Sequence, residues 1–129
     1  MKKNRIKFLI VLVISIVLIH TFYSLVKAPE GIETKKVNSS SSAKDLLVKV
    51  EKNDSLWNAK IVEIHGTITA IDKKGITLDS KIYCQFKEGS NTKKLQPNTT
   101  IILKGRIIGY DDLLEELKLD QCIKIKPTL

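Results

Sequence analysis

The chain has 129 residues, of which 43% are hydrophobic and 28% are charged. This length allows one domain, or one domain with an anchor. The composition excludes a wholly disordered chain and a polytopic membrane protein. With three Phe, three Tyr and one Trp, the sequence predicts one small hydrophobic core and leaves no room for a large catalytic cleft.

The net charge of +8 is concentrated at one end of the chain. Residues 1–27 carry a net charge of +5 and no acid, whereas residues 43–129 carry only +3. A strongly basic folded domain would indicate a polyanion partner such as nucleic acid. Because most of the excess charge flanks a hydrophobic segment, it gives only weak support for such a partner.

The hydrophobic segment comprises residues 6–26, and Lys7 near its start is its only charged residue. About 20 residues of helix cross a hydrocarbon core of roughly 30 Å. Four bases precede Phe8, and bases on this side of a span keep the N-terminus in the cytoplasm. We therefore expect residues 1–7 to form a cytoplasmic basic tail and residues 8–26 a transmembrane signal anchor, with residues 6–26 contacting the lipid bilayer.

A cleavable signal peptide is the competing interpretation. Val26 and Ala28 could occupy the small-residue positions before a cut, but Pro29 would follow that cut directly and is unfavourable there. No cysteine lies between positions 20 and 30, which excludes a lipoprotein cut. The sequence thus favours a single-pass protein of the bacterial cytoplasmic membrane, with its remaining residues outside the cytoplasm.

Two regions of different composition follow the anchor. Residues 27–42 hold Pro, Gly, a run of serines and mixed charge, which predicts a flexible linker. Residues 43–129 are expected to form the folded domain, whose first element is an amphipathic helix of about 12 to 15 residues. Ser42 and Asp45 fit the capping box that begins such a helix. The apolar stripe of this helix is Leu46, Leu47, Val50 and Trp57.

Beyond Asn58 apolar and polar residues alternate, which predicts strands with one face exposed to solvent. Residues 72–75 predict a turn with a positive φ at Gly75. The polar residues 87–98 predict a loop with one helical turn, and the acidic residues 111–118 predict a short helix. The five predicted strands are Val62–Ala70, Ile76–Leu78, Ile82–Phe86, Thr99–Tyr110 and Ile123–Ile125.

Gly66 and Gly105 lie in the middle of the two long predicted strands. A mid-strand glycine costs stability unless the strand bends sharply or accepts a close neighbour, and bent strands are what a small closed barrel needs. Three meandering strands, a crossing segment and two more strands predict an all-β domain, a five-stranded OB-fold barrel with an N-terminal amphipathic helix, preceded by a single transmembrane helix. The alternative is a three-stranded sheet with a separate hairpin.

Five stretches of the domain carry a family resemblance: Glu51–Trp57, Lys60–Ile68, Cys84–Phe86, Leu103–Gly105 and Leu119–Cys122. They are similar to a bacterial OB-fold family named "tRNA anticodon-binding-like", and the resemblance spans residues 46–125. This chain departs from the family pattern at Trp57, where a Tyr is usual, and at Ala59, where a Gly is usual. The family's name reports a likeness of fold, and the resemblance implies an exported or membrane-anchored protein without an established activity or catalytic residues.

The chain has two cysteines, Cys84 and Cys122. The third and fifth strands of an OB fold are neighbours, and export favours oxidation, so the pair could form a disulfide. The alternation of side chains along a strand argues against a disulfide. It places Cys84 on the same face as the apolar residues of its strand, but it places Cys122 on the face opposite to Ile123. A bulge at residues 120–121 would remove this conflict, and the sequence leaves both states open.

The usual OB ligand face comprises strands two and three with the first and fourth loops. Single-strand binders stack bases on several aromatic side chains in a basic groove, and this face offers only two aromatics. We expect a membrane-tethered, extracytoplasmic binding or interaction module whose partner is an envelope protein or a small ligand. A single-stranded nucleic-acid-binding domain and an uncharacterised enzyme are the alternatives. The candidate ligand-face residues are Lys73, Lys74, Lys81, Tyr83, Gln85, Lys87 and Tyr110.

Motifs for catalysis and metal binding are absent from the sequence. His65 and the two cysteines match no zinc-finger spacing, and the acidic residues 111–116 lack the spacing of a calcium loop. We therefore expect neither enzyme activity nor a metal or other cofactor.

Overall fold

The structure is a computed structural model that describes residues 2–26 and 31–125. The chain divides into two units, Met1–Glu30 and Gly31–Leu129. In the first unit, helix α1 spans Lys2–Val26. Its most apolar window of 18 residues has a mean hydropathy of 2.6, so this helix is long and apolar enough to cross a membrane. The long apolar helix predicted from the sequence is thus present.

Residues 31–125, the described part of the second unit, contain two helices and six strands. They are, in chain order, β1 (Ser39–Ser42), α2 (Ala43–Lys52), α3 (Asp54–Trp57), β2 (Ile61–Ile71), β3 (Gly75–Leu78), β4 (Ile82–Phe86), β5 (Thr100–Asp111) and β6 (Glu116–Lys124). Strands β2 to β6 are hydrogen-bonded in the order β2-β3-β4-β6-β5, and β5 pairs back onto β2. The predicted closed, five-stranded β-barrel is therefore confirmed, and the alternative of a separate hairpin is wrong.

The direction of β6 follows from the segment that precedes β5. Residues 87–99 carry the chain away from the end of β4, and they form turns without the predicted helical turn. After this segment β5 pairs antiparallel with β2 and with β6. As a result β6 pairs with β4 in parallel, with Leu117 opposite Ile82.

Helix α2 packs on the barrel through its apolar stripe. Leu46 and Val50 are buried in the core that the strands form. The backbone N–H of Asp45 donates to the side-chain oxygen of Ser42 at 3.1 Å, as predicted for the N-terminal cap. The helix is shorter than predicted because Asn53, with φ −149°, leaves the helical conformation. Trp57, in the separate helical turn α3, packs partly buried against the core.

Residues 31–42 correct the prediction of a flexible linker. Ile32 is buried, and β1 pairs in parallel with β2, from Ser39 opposite Val62 onwards. Asn38 exchanges two hydrogen bonds with Ile61, one through its backbone and one through its side chain. Ser, Gly and mixed charge indicate flexibility from local preferences alone, whereas these contacts join the segment to residues distant in sequence.

Lys104 on β5 also attaches this segment to the barrel. Its side chain is buried although it is charged. Its ammonium donates to the backbone carbonyl oxygens of Glu33 and Lys35. The folded domain therefore includes Gly31 onwards rather than starting at residue 43. Residues 27–30 of the predicted linker lie outside the described residues.

The acidic residues 111–118 form a hairpin turn and not the predicted helix. Asp111 ends β5, residues 112–115 turn, and Glu116 begins β6. One carboxylate oxygen of Asp111 accepts from the backbone N–H groups of Leu113 and Leu114, both at 3.1 Å. Such Asx turns compete with helix formation. The last strand consequently starts seven residues before Ile123, the first residue of the predicted strand.

Two glycines are needed for close packing between strands. Gly75 does not have the positive φ that the sequence predicted. An added Cβ there would overlap the carbonyl oxygen of Cys84 on the neighbouring strand. At Gly105, in mid-strand, an added Cβ would lie 2.7 Å from the Sγ atom of Cys122. The strands can approach this closely only because these positions lack a side chain.

Candidate functional site

Two cavities lie beside the end of β4, and they share Phe86 and Ser90 among their lining residues. The first has a volume of about 580 Å³ and is bordered by the β2–β3 turn and the start of the β4–β5 loop. The second has a volume of about 530 Å³ and is bordered by the same loop and the end of β6. We refer to the two cavities together as the Phe86 cleft.

Lysines dominate the charge of the Phe86 cleft. Five lysines line it, against the two acids Glu88 and Asp120. In the described part of the chain, only Lys87 among the five takes part in an ion pair. The remaining four ammonium groups therefore favour an anionic ligand. The five are Lys73, Lys74, Lys87, Lys94 and Lys124.

The second cavity also has an apolar floor. Phe86, Leu95 and Ile123 line it, and all three side chains are half-buried. Lys94 and Lys124 lie at the same cavity and are exposed. A ligand that combines negative charge with an apolar group would satisfy both features.

Asp72 orders the turn that carries Lys73 and Lys74. Its carboxylate accepts from the backbone N–H groups of Lys74 and Gly75, both at 2.7 Å. The hydroxyl of Tyr83 donates to the same carboxylate at 3.0 Å. The hydrogen bond from Lys74 is the main cause that lowers the pKa of Asp72. Burial, and then Asp72, raise the pKa of Tyr83 to about 12, so this hydroxyl stays protonated.

Two ion pairs form further walls of the first cavity. The Lys87 ammonium lies 2.8 Å from the carboxylate of Glu33, and this bond lowers the pKa of Glu33. Arg106 donates from two nitrogens to Asp120, at 2.8 and 2.5 Å. Such paired bonds fix both side chains in one geometry. Asp120 is thus positioned before any ligand arrives.

The structure brings together four of the seven residues of the predicted ligand face. Lys73, Lys74, Gln85 and Lys87 line the first cavity. The other three residues do not line either cavity of the cleft. They are Lys81, Tyr83 and Tyr110.

Lys81 and Tyr110 lie towards the other end of the β4–β6 pair. Lys81 precedes β4 and forms an ion pair with Glu115 at 3.0 Å. Tyr110 pairs with Leu117 at the start of β6. The five residues of β4, at about 3.3 Å per residue, separate this end from the cleft. Tyr83 lies between the two ends, with its hydroxyl bonded to Asp72.

The sequence prediction missed the second cavity entirely. Phe86 was predicted as a strand residue, and the loop residues Lys94 and Leu95 were not singled out. An isolated apolar residue such as Leu95 in a polar loop was an available signal, because such a residue often packs back on a core, as it does here. Ile123 and Lys124 join the cavity because the parallel β6 strand ends beside β4.

Cys84 and Cys122 are both fully buried beneath the cleft and are free thiols in this structure. The bulge that would remove the conflict in side-chain alternation is present: Gln121 has φ +54° and the β4–β6 register shifts beside it. A hydrogen bond with Cys84, and then burial, raise the pKa of Cys122. The Cys122 thiol therefore resists deprotonation and is a poor nucleophile.

The sequence leaves the oxidation state of the pair open, and the hydrogen bond between the two thiols now makes a disulfide the prediction for an oxidising compartment. If the barrel is exported, we expect a disulfide that stabilises it by about 3 to 4 kcal/mol. Alkylation of the unfolded chain without reductant measures this directly. Protection of both cysteines is the expected result, and two alkylated cysteines would contradict it.

Among residues 2–26 and 31–125, no group of three or more His, Cys, Asp and Glu side chains is arranged to hold a metal ion. In comparisons with known proteins, no family model, no curated protein and no solved structure matches the chain.

Proposed function

We propose that this protein is a single-pass membrane protein whose barrel is an OB-fold interaction module outside the cytoplasm, and that the Phe86 cleft binds an acidic partner. The observation that carries the proposal is the cleft itself: five lysines line it, and two of them, Lys94 and Lys124, lie beside the half-buried apolar floor of its second cavity. No step of catalysis is part of the proposal.

The anchor is supported by helix α1. At about 1.5 Å per residue its 25 residues exceed the roughly 30 Å of a hydrocarbon core. Four bases lie in its first six residues, Lys2–Lys7, which favours a cytoplasmic N-terminus and an exported barrel. A cleaved signal peptide would give the same orientation without the tether.

The OB assignment is supported by the five-stranded closed barrel and the crossing segment between its third and fourth strands. The likeness of residues 46–125 to the "tRNA anticodon-binding-like" family is part of the same proposal. Because that family name reports a likeness of fold and not a ligand of its members, we argue the ligand class from the cleft alone.

An acidic protein segment fits the cleft better than a nucleic acid does. Single strands bind by stacking successive bases on several aromatic side chains, and Phe86 is the one aromatic that lines either cavity. An acidic segment with apolar residues uses the lysines and the apolar floor together. Its attraction to exposed lysines is screened by salt, over a Debye length of about 8 Å at physiological ionic strength.

The test is a binding titration with the full chain in mild-detergent micelles. The probe is a fluorescein-labelled short peptide of glutamates with two central leucines. The double variant Lys94→Glu/Lys124→Glu is expected to bind it at least about tenfold more weakly. The matched control, Lys49→Glu/Lys52→Glu, makes the same charge change on exposed residues of α2 and is expected to bind as the unaltered chain does.

Equal weakening in the control variant would contradict a specific site. A labelled oligodeoxythymidine provides the second arm of the titration. If it binds more tightly than the peptide, and loses that binding in the Lys94/Lys124 variant, the nucleic-acid interpretation replaces the proposed one.

A further inference from the structure

The turn between β5 and β6, residues 111–116, presents two leucines to solvent. Leu113 is 96% exposed and Leu114 is 64% exposed. Their backbone N–H groups donate to the Asp111 carboxylate, both at 3.1 Å. Asp111 also forms an ion pair with Lys118 at 3.0 Å. The leucines are therefore held out by an ordered turn, which we call the hairpin tip.

Acids surround the two leucines of the hairpin tip. Asp111, Asp112, Glu115 and Glu116 flank them directly in sequence. Lys118 and Lys81 pair with two of these acids, Asp111 and Glu115. The tip is left with a negative net charge, so insertion into a bilayer is unfavourable. An apolar group with an acidic surround instead fits an apolar site with a basic surround.

The same chain carries a site of that complementary kind. The second cavity of the Phe86 cleft has an apolar floor and exposed lysines at positions 94 and 124. Its volume of about 530 Å³ is larger than two leucine side chains require. Charge and apolar character are thus matched between the hairpin tip and the cleft.

The matched surfaces lie at opposite ends of the barrel. Strands β4 and β6 run parallel, with Leu117 beside Ile82 at one end and Cys122 beside Phe86 at the other. The tip precedes Leu117, whereas the cleft lies at Phe86. A hairpin tip therefore cannot reach the cleft of its own barrel, and only another copy can present its tip there.

We propose that the occupant of the Phe86 cleft is the hairpin tip of a second copy of this chain. This inference rests on the proposed function of the cleft and names its partner. Each copy offers one tip and one cleft, so the contact is head-to-tail and builds rings or open rows. Anchoring in one membrane would favour the contact, because it raises the effective concentration of neighbouring copies.

The test uses the full chain reconstituted in phosphatidylcholine vesicles, with donor or acceptor dyes on separate copies. The tip variant Leu113→Ser/Leu114→Ser and the cleft variant Lys94→Glu/Lys124→Glu are each expected to lower energy transfer between copies at least about fivefold. Leu56→Ser, at a leucine that is 63% exposed outside the tip, is the control and is expected to leave the transfer unchanged.

Mixing the two variants is the decisive arm. The cleft variant keeps an intact tip, and the tip variant keeps an intact cleft. In a mixture, one variant carries the donor dye and the other the acceptor dye. Energy transfer is expected to recover in this mixture, because the two variants can form pairs but no larger assemblies. Failure of this mixture to recover, or transfer that is independent of both sites, as association through α1 would give, would overturn the proposal.

The peptide titration and the energy-transfer experiment distinguish failure of self-association from failure of the proposed function. If the acidic peptide still binds at Lys94 and Lys124 while copies do not associate, the further inference is wrong and the proposed function stands. If peptide binding does not depend on these lysines, the proposed function of the cleft is wrong as well.

Discussion

Replacing Gly75 with alanine is expected to lower the free energy of unfolding of the barrel by about 3 kcal/mol. The added Cβ would overlap the carbonyl oxygen of Cys84 and lie 3.1 Å from the Cα of Gln85. Both are backbone atoms of β4, so no side-chain rotation relieves the overlap. Strand β3 must move away from β4, which weakens the pairing of Gly75 with Gln85.

The measurement is denaturant unfolding of the full chain in detergent micelles, followed by the fluorescence of the single tryptophan. Gly31→Ala is the control. There the added Cβ would meet the carboxylate of Glu33, which is the end of a flexible side chain and can move aside. Its effect is expected to stay within about 0.5 kcal/mol. Equal effects of the two substitutions would contradict the close approach of β3 and β4.

Lys104→Met is expected to increase the local opening of residues 31–42 while the barrel stays folded. Methionine keeps the apolar stem but removes the ammonium, which leaves the carbonyl oxygens of Glu33 and Lys35 without their donor. Loss of hydrogen bonds from a charged donor costs about 2 kcal/mol, which corresponds to roughly a thirtyfold rise in local opening.

Hydrogen exchange followed by mass spectrometry measures this opening. Faster exchange is expected for the amides of Ser39–Ser42, which form strand β1 on β2. The amides of β4 and β6 should keep their protection. Lys94→Met, at an exposed lysine, is the matched control and should change neither. Unchanged exchange of β1 in Lys104→Met would mean that strand pairing and Ile32 alone hold the segment.

The elements that the sequence predicts well are those with a clear local pattern. Alternation of apolar residues predicts β4 with its bounds as observed, Ile82–Phe86. The mid-strand glycines Gly66 and Gly105 predict the closed barrel, and both lie close to a neighbouring side chain. An added Cβ would lie 3.0 Å from the Cβ of Ala43 at Gly66 and 2.7 Å from the Sγ of Cys122 at Gly105. Ser42 predicts the start of α2 because its cap is a bond to a residue only three positions away.

The wrong predictions have a common physical cause, which is contact between residues distant in sequence. Four serines have no strand preference, and β1 exists because β2 offers a free edge. The hairpin at 112–115 has a helix-like composition, but Asp111 binds its own turn and β5 pairs with β6 across it. The same cause explains why only the first cavity of the site is predicted. Lys73 and Lys74 are predicted because they lie on the face that OB folds usually use for ligands. The second cavity is not predicted because it forms only when the β4–β5 loop folds back on the barrel.

Membrane topology decides whether a tethered barrel functions outside the cytoplasm. Alkaline phosphatase and a fluorescent protein are fused separately after Leu129 in a bacterial host. We expect an active phosphatase, retained in the membrane fraction, and a fluorescent protein that is dark because the general secretion route exports it unfolded. An inactive phosphatase with a bright fluorescent fusion would place the barrel in the cytoplasm and contradict the proposed topology.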